Sequence, residues 1–207
     1  MLKNKVVLLI LLISGLSFTL VALGSDNQTG KGQIGVTFSS LGNVDFLSFA
    51  KSVGGPGYRG DGVKAFGLVY VYKINRTLDF ETGLEYSDYK IIIEPNLPLI
   101  YHGTASLTRF SLINIPASLQ VNFLKFFFLN GGAFFDINGL NSGAKENQSG
   151  LGASLGIGFK YNFKHGYSLF VNPFTKVHSL IPVTAISGQG RLIESGIRFG
   201  FLVQLNK

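Results

Sequence analysis

From Leu151 to Phe163 the chain reads LGASLGIGFKYNF, with Leu151, Ala153, Leu155, Ile157, Phe159, Tyr161 and Phe163 on one parity. The other parity holds Gly152, Ser154, Gly156, Gly158, Lys160 and Asn162. Successive side chains of a strand point to opposite faces, so a two-residue period kept over this length specifies one greasy and one polar face. The stretch near the C-terminus repeats it, with Ile193, Ile197, Phe199, Phe201, Val203 and Leu205 against Glu194, Gly196, Arg198, Gly200 and Gln204. So does 113–123, where Ile113, Ile115, Leu119, Val121 and Phe123 oppose Asn114, Pro116, Ser118, Gln120 and Asn122. Phe110 and Leu112 break parity just before it, which predicts a bulge or an aromatic rim there.

The same reasoning gives eight strands, over 31–39, 63–74, 77–90, 107–123, 125–138, 150–163, 167–178 and 192–205. Most exceed the 5 to 6 residues usual in soluble sheets and suit tilted strands crossing a bilayer. Twenty-seven glycines and nineteen phenylalanines fit many strands and turns. Asn75-Arg76, Leu124-Lys125 and Lys164-His165-Gly166 read as tight reversals, whereas 40–62, 91–106, 139–149 and 179–191 read as long loops. Every second connection is short. In an up-and-down barrel, successive connections emerge at opposite ends, so short turns share one rim and long loops the other. The expected fold is therefore an all-β, eight-stranded, antiparallel, up-and-down transmembrane barrel.

Alternation alone leaves open which face looks inward, because a soluble lipocalin-like barrel alternates in the same way with its apolar face inside. Three features favour the membrane form. Glycines concentrate on the polar face, where a narrow lumen is crowded; Tyr161, Phe163 and Tyr167 flank a tight turn as an aromatic girdle would; and the apolar faces run the length of the strands. In TLDFETGLEYSD, residues 77–88, Asp79, Glu81 and Glu85 are then expected inside and Leu78, Phe80 and Leu84 against lipid. Buried acids need partners. Lys160, Lys176 and Arg198, on the polar faces of other strands, are expected to supply them, and with Glu194 they complete a polar lumen closed by hydrogen bonds and ion pairs. Residues 63–74, VKAFGLVYVYKI, are apolar on both faces and cannot be oriented from sequence.

The chain begins MLKNKVVLLILLISGLSFTLVALGS, with Lys3 and Lys5 ahead of an apolar run and small residues at Ala22 and Gly24. That is the anatomy of a secretory signal peptide over 1–24, leaving 183 of 207 residues as one barrel domain, 25–207. A retained helical anchor is the alternative, weakened by Ser14, Gly15, Ser17 and Thr19 within the run. The absence of cysteine excludes a disulfide framework and a lipobox. The remaining basic residues are scattered rather than clustered, which argues against nucleic acid.

Several stretches resemble the outer-membrane β-barrel family typified by PorT-like proteins, a group built on small barrels similar to OmpX and the OmpA membrane domain. They are GQIGVTFSSL at 32–41, LDFETGLEYSDY at 78–89, LINIPASLQVNF at 112–123, FLNGGAFFDI at 128–137 and LGASLGIGFKYNF at 151–163. The resemblance implies location and fold more than activity. It also implies outer-membrane lipid, lipopolysaccharide and the barrel-assembly machinery as partners, with Phe199 and Phe201 the aromatics nearest the chain's end. PorT itself is associated with secretion of surface proteins, which makes an accessory role in secretion the second functional reading, with envelope or secretion proteins as partners.

Candidate motifs are few. Arg59-Gly60-Asp61 falls in the expected first long loop, where an exposed tripeptide of opposed charges could suit adhesion but a glycine-rich turn that happens to hold a charge pair is the simpler reading, as short motifs match by chance. His178, Ser179 and Glu194 suggest a hydrolase of the lipid-modifying kind, but adjacent residues of an extended strand point to opposite faces, which separates His178 from Ser179. His102 and His165 are expected in a loop and a tight turn. No metal-ligand spacing occurs and no cofactor is expected. DFLSFAKSV at 45–53 is weakly amphipathic, fitting a short helix or irregular loop. The expected function is a non-enzymatic barrel serving envelope structure or surface interaction, ahead of a secretion accessory, a lipid-modifying enzyme or a small pore.

Overall fold

The computed structural model of this chain describes residues 32–47, 57–94, 105–139, 148–183 and 190–205. The expected signal peptide and His102 lie outside them. Eight strands occur in order: β1 Gly32–Leu47, β2 Gly57–Lys73, β3 Leu78–Glu94, β4 Ser106–Phe123, β5 Phe127–Asn138, β6 Gly150–Asn162, β7 Tyr167–Pro182 and β8 Arg191–Gln204. Each pairs antiparallel with the next, and β1 pairs with β8, closing a barrel without an edge. Closure satisfies every ladder internally, which hydrocarbon demands.

Local chemistry sets the three tight reversals. Asn75 Oδ1 accepts from the backbone N–H groups of Thr77 (2.8 Å) and Leu78 (2.7 Å), bending the chain between β2 and β3. Leu124 and Lys125 take positive φ (47° and 65°) to bring β5 back along β4. Gly166, at φ 80°, lets β7 return along β6 without a Cβ penalty. These turns share one rim with Gly32 and Gln204.

At the opposite rim the strands run farther than the sequence predicts. β1 reaches Leu47, β2 starts at Gly57, β3 extends to Glu94 and β7 to Pro182. Glycine, serine and charge make these extensions read as loop, yet partners hold them: Asn43 to Leu47 pair with Ser195 to Arg191, and Gly57 to Gly60 with Glu94 to Ile91. Asp45–Leu47, the start of the expected amphipathic segment, is strand; residues 48–53 lie outside the described residues. The predicted bulge in β4 does not form. Its register with β3 holds from Leu78↔Val121 to Ile93↔Ser106, and Phe110 and Leu112 point inward because this end of the lumen is itself apolar.

The outer wall settles the direction of the faces. Ile34, Val36, Phe38, Phe66, Leu68, Leu84, Leu119, Leu129, Leu155, Ile157, Leu169 and Phe199 are all exposed, an unbroken apolar belt no water-facing monomer carries. At about 3.3 Å per residue and a tilt of about 40°, Ile113 to Phe123 rises about 25 Å, the height of an outer-membrane barrel's apolar band. Around the short turns the belt ends in packed rings: Phe123 stacked on Phe127, Phe126 on Tyr161 and Tyr167 on Phe201, with Tyr161 edge to face against Phe163. β2 is oriented here as well. Val63, Ala65, Val69 and Val71 are buried while Phe66, Leu68 and Tyr70 face out, so the smaller apolar set fills the narrow interior.

Lumen glycines have a specific use. Phe128, Phe134, Phe170 and Phe174 each sit directly across the ladder from Gly158, Gly152, Gly196 or Gly200 on the next strand. A Cβ added at Gly200 would overlap the Phe170 ring. Gly200→Val is therefore expected to destabilise the barrel by about 1–3 kcal/mol through overpacking, measured by urea unfolding in lipid vesicles. Adding Phe170→Ala should recover part of the loss; no recovery would show that the glycine serves the backbone instead of the ring.

Candidate functional site

The densest cluster of polar and charged side chains among the described residues is the lumen, where strand parity turns them inward at successive levels. At the short-turn rim it opens as a vestibule of about 860 Å³ lined by Gln33, Lys73, Arg76, Asn122, Lys125 and Asn162. Its inner wall is Asp79, whose Oδ2 accepts from Lys160 Nζ (3.1 Å), Asn122 Nδ2 (2.8 Å) and Gln120 Nε2 (3.2 Å).

Above it Val69, Val71, Phe128, Phe170 and Leu202 form an apolar layer, with the two rings edge to face at 6.0 Å. Lys160 lies 5.9 Å from the Phe128 ring and Arg198 5.3 Å from the Phe170 ring, so cations cap the aromatic layer.

The next level is ionic. Arg198 donates to both Glu81 oxygens (2.7 and 3.3 Å) and to Asn172 Oδ1 (3.1 Å), while Asn172 Nδ2 donates to Asn130 Oδ1 (3.1 Å). The two-pronged contact fits guanidinium to carboxylate with least loss of freedom. Lys176 Nζ donates to Glu85 and lies 5.0 Å from the Phe174 ring.

A second polar level centres on His178. Its Nδ1 lies 2.8 Å from Asp136 Oδ2 and its Nε2 3.2 Å from Glu194 Oε2, which also accepts from the Tyr89 hydroxyl at 2.6 Å. Asn114 Nδ2 donates to Asp136 Oδ1 at 2.9 Å. The cluster thus ties β3, β4, β5, β7 and β8 across the lumen. Over it Val44, Val63, Ile91, Phe110, Leu112 and Leu192 close the lumen toward the long-loop rim, with Phe110 stacked on Tyr89 at 5.0 Å.

The seven lumen residues named from sequence, Asp79, Glu81, Glu85, Lys160, Lys176, Glu194 and Arg198, are all buried here, and the pairs are Asp79 with Lys160, Glu81 with Arg198 and Glu85 with Lys176. Glu194 goes to Tyr89 and His178. Sequence reasoning put Asn114 on the polar face without a partner and missed Asp136 and Tyr89. Asp136 shares parity with Asn130 and Gly132, a signal that Phe134 on the same face obscured.

Two motif readings change. Both His178 and Ser179 are buried, because a bulge opposite Leu151–Ala153 with Ser179 at φ 51° turns the pair inward together. They still do not form a nucleophile and base. Ser179 Oγ has no hydrogen-bond partner among the described residues, and both histidine nitrogens face carboxylates. Arg59-Gly60-Asp61 lies within β2, not in a loop, at the bulge between Gly60 and Gly62. His165 is in the tight turn before Gly166 and is exposed. Among the described residues no group of histidine and carboxylate side chains is placed to hold a metal ion.

No family model matches the chain. No curated protein matches it in sequence either. Among solved structures, the outer membrane protein OprG from Pseudomonas aeruginosa aligns at 11% identity with a TM-score of 0.54, covering 86% of this chain and 97% of that one. Ail, the attachment invasion locus protein of Yersinia pestis, aligns at 12% identity and a TM-score of 0.40, over 86% and 99%. The outer membrane protein AlkL aligns at 13% and 0.42, over 86% and 88%. The likeness to OprG is one of fold, that of an outer-membrane β-barrel.

Proposed function

We propose that this chain is an integral outer-membrane barrel, exported by its N-terminal signal peptide, that serves envelope structure or surface contact rather than transport or catalysis. The observation that carries this reading is the lumen, crossed by two apolar layers, by the ion pairs Asp79–Lys160, Glu81–Arg198 and Glu85–Lys176, and by the His178 cluster. A solute would have to break buried ion pairs to pass, which costs several kcal/mol for each charge left alone. The non-enzymatic part of the reading is supported by Ser179 Oγ having no hydrogen-bond partner among the described residues and by both His178 nitrogens being turned to carboxylates.

Outer-membrane fractions should contain a detergent-resistant form whose gel mobility changes on boiling. The same purified form, placed in planar bilayers, should give no discrete conductance steps. Stepwise currents would overturn the closed-lumen reading, and recovery in the soluble periplasm without a heat shift would overturn the membrane reading itself.

A secretion-accessory role of the PorT-like kind is the second reading. The vestibule favours it, since its mouth is ringed by Lys73, Arg76 and Lys125 at the short-turn rim, the periplasmic end of such barrels. It requires a stable complex with other envelope proteins.

A further inference from the structure

On the outer wall of β2, β3 and β4 the apolar surface is interrupted by charge, resuming only at Leu107 beside Ile92. Phe66, Tyr86 and Ile113 are cross-strand neighbours at the belt's upper edge, and Phe66 and Tyr86 are each more than half exposed. One pleat higher, Lys64 faces Asp88, an opposite-charge pair of the ordinary stabilising kind. One pleat higher again, Lys90 faces Arg109, so the Asp88 carboxylate, two residues from Lys90 and diagonal to Arg109, stands among three cations and leaves the wall with excess positive charge.

Two like charges directly opposite across a ladder destabilise a sheet unless something shares them. Tyr89, Ile91 and Phe110 are buried in the lumen, so the intervening Lys90 and Arg109 project from the outer wall. On its other side Lys90 is paired with Gly62, where an added Cβ would meet no atom within 4 Å. Among the described residues Lys90 therefore borders open space on its β2 side, on a wall whose lower part is greasy. With strands tilted by about 40°, the two cations stand about 10 Å above the belt's edge, a height long basic side chains bridge by bending back toward the headgroups.

The geometry points to a seat for the phosphorylated headgroup of an outer-leaflet lipid, with Arg109 and Lys90 as phosphate ligands and the acyl chains on Phe66, Tyr86 and Ile113. This rests on the outer-membrane reading above. Arginine offers a planar fork to a phosphate and lysine a point charge, and the shared anion removes the repulsion between them. The apolar wall beneath distinguishes a lipid from free phosphate, because only a lipid gains from both surfaces at once.

The test uses the full barrel in phosphatidylcholine nanodiscs doped with lipid A or with lipid A stripped of its phosphates, followed by detergent extraction and native mass spectrometry. Wild type should retain lipid A, and the double variant Lys90→Gln with Arg109→Gln should retain about thirtyfold less, the order that two basic contacts supply at a membrane surface. Phosphate-free lipid A should be held weakly by both, and Lys90→Arg should behave as wild type. In pure phosphatidylcholine the double variant should need more heat than wild type to unfold, because repulsion has been removed, and lipid A should erase that difference.

Equal retention by wild type and the double variant would overturn the seat. Displacement of lipid A by excess inorganic phosphate would overturn the lipid assignment. A barrel that keeps its heat shift but fails these tests leaves the outer-membrane reading standing, whereas loss of the heat shift in wild type sinks both.

Discussion

Arg198→Met is expected to lower the barrel's unfolding free energy by about 3–5 kcal/mol, because it strands the Glu81 carboxylate in the lumen. Both Glu81 oxygens take their hydrogen bonds from Arg198, and Glu81 is buried to 2% exposure. Its cross-ladder neighbours are Val71 and Ser118, neither of which carries charge. Asn172 also loses the donor that meets its Oδ1. The pair as a whole contributes far less than this, since its Coulomb gain is offset by the cost of removing two charges from water. Combining Arg198→Met with Glu81→Leu should therefore restore most of the loss, the new side chains packing against Phe170. Urea titration in lipid vesicles, followed by tryptophan-free fluorescence of the tyrosines or by the heat-shifted gel band, reads the difference. If the single and double variants were equally damaged, Arg198 would be holding packing and not charge.

Leu119→Arg tests the outer wall with a comparable effect. Leu119 projects from β4 midway along the belt, between Phe80 on β3 and Gly131 on β5. An arginine at the bilayer midplane of a barrel costs about 2–4 kcal/mol, falling to about 0–1 kcal/mol near the interfaces. Leu107→Arg serves as the control, since Leu107 is equally outward and exposed but lies above the belt beside Ile92. On a water-facing barrel both changes would stay within about 0.5 kcal/mol, as exposed substitutions do. A large loss for Leu119 with a small one for Leu107 is the signature of lipid depth. Small losses for both would mean that the greasy wall is covered by protein or faces water.

Both expectations depend on the same physical asymmetry. In water a barrel hides its apolar face and tolerates charge outside; in hydrocarbon the outside must be apolar and the charges go inward, where each needs a partner. The lumen meets that need by alternating greasy and ionic levels instead of concentrating charge at one height. Lys160 and Arg198 reach rings on the apolar layer between them as well as their carboxylates, so the levels interlock.

Strand number and the two faces of each strand follow from period-two patterning, the alternation of short and long connections from the turn residues, and the inward direction of Asp79, Glu81 and Glu85 from the glycines on the polar faces and the aromatics flanking a tight turn. What patterning misplaced lies at the long-loop end. Phe110 and Leu112 read as a parity error because sequence treats one strand face as uniformly polar, whereas the lumen changes character along its height. Asn43 to Leu47 and Gly57 to Gly60 read as loop, and pairing with β8 and β3 makes them strand. A local signal cannot report a hydrogen-bond partner that lies elsewhere in the chain.

The sequence by itself determined that this chain forms long, one-sided strands joined in an up-and-down order. Tertiary structure alone decided which side of β2 faces in, since both faces are apolar and only ring closure selects the smaller residues for the interior. It also decided which base meets which acid, because β3 is far from β6, β7 and β8 along the chain and only the barrel's register brings Asp79 to Lys160, Glu81 to Arg198 and Glu85 to Lys176. His178 joins Asp136 and Glu194 for the same reason, helped by a bulge that no local preference announces.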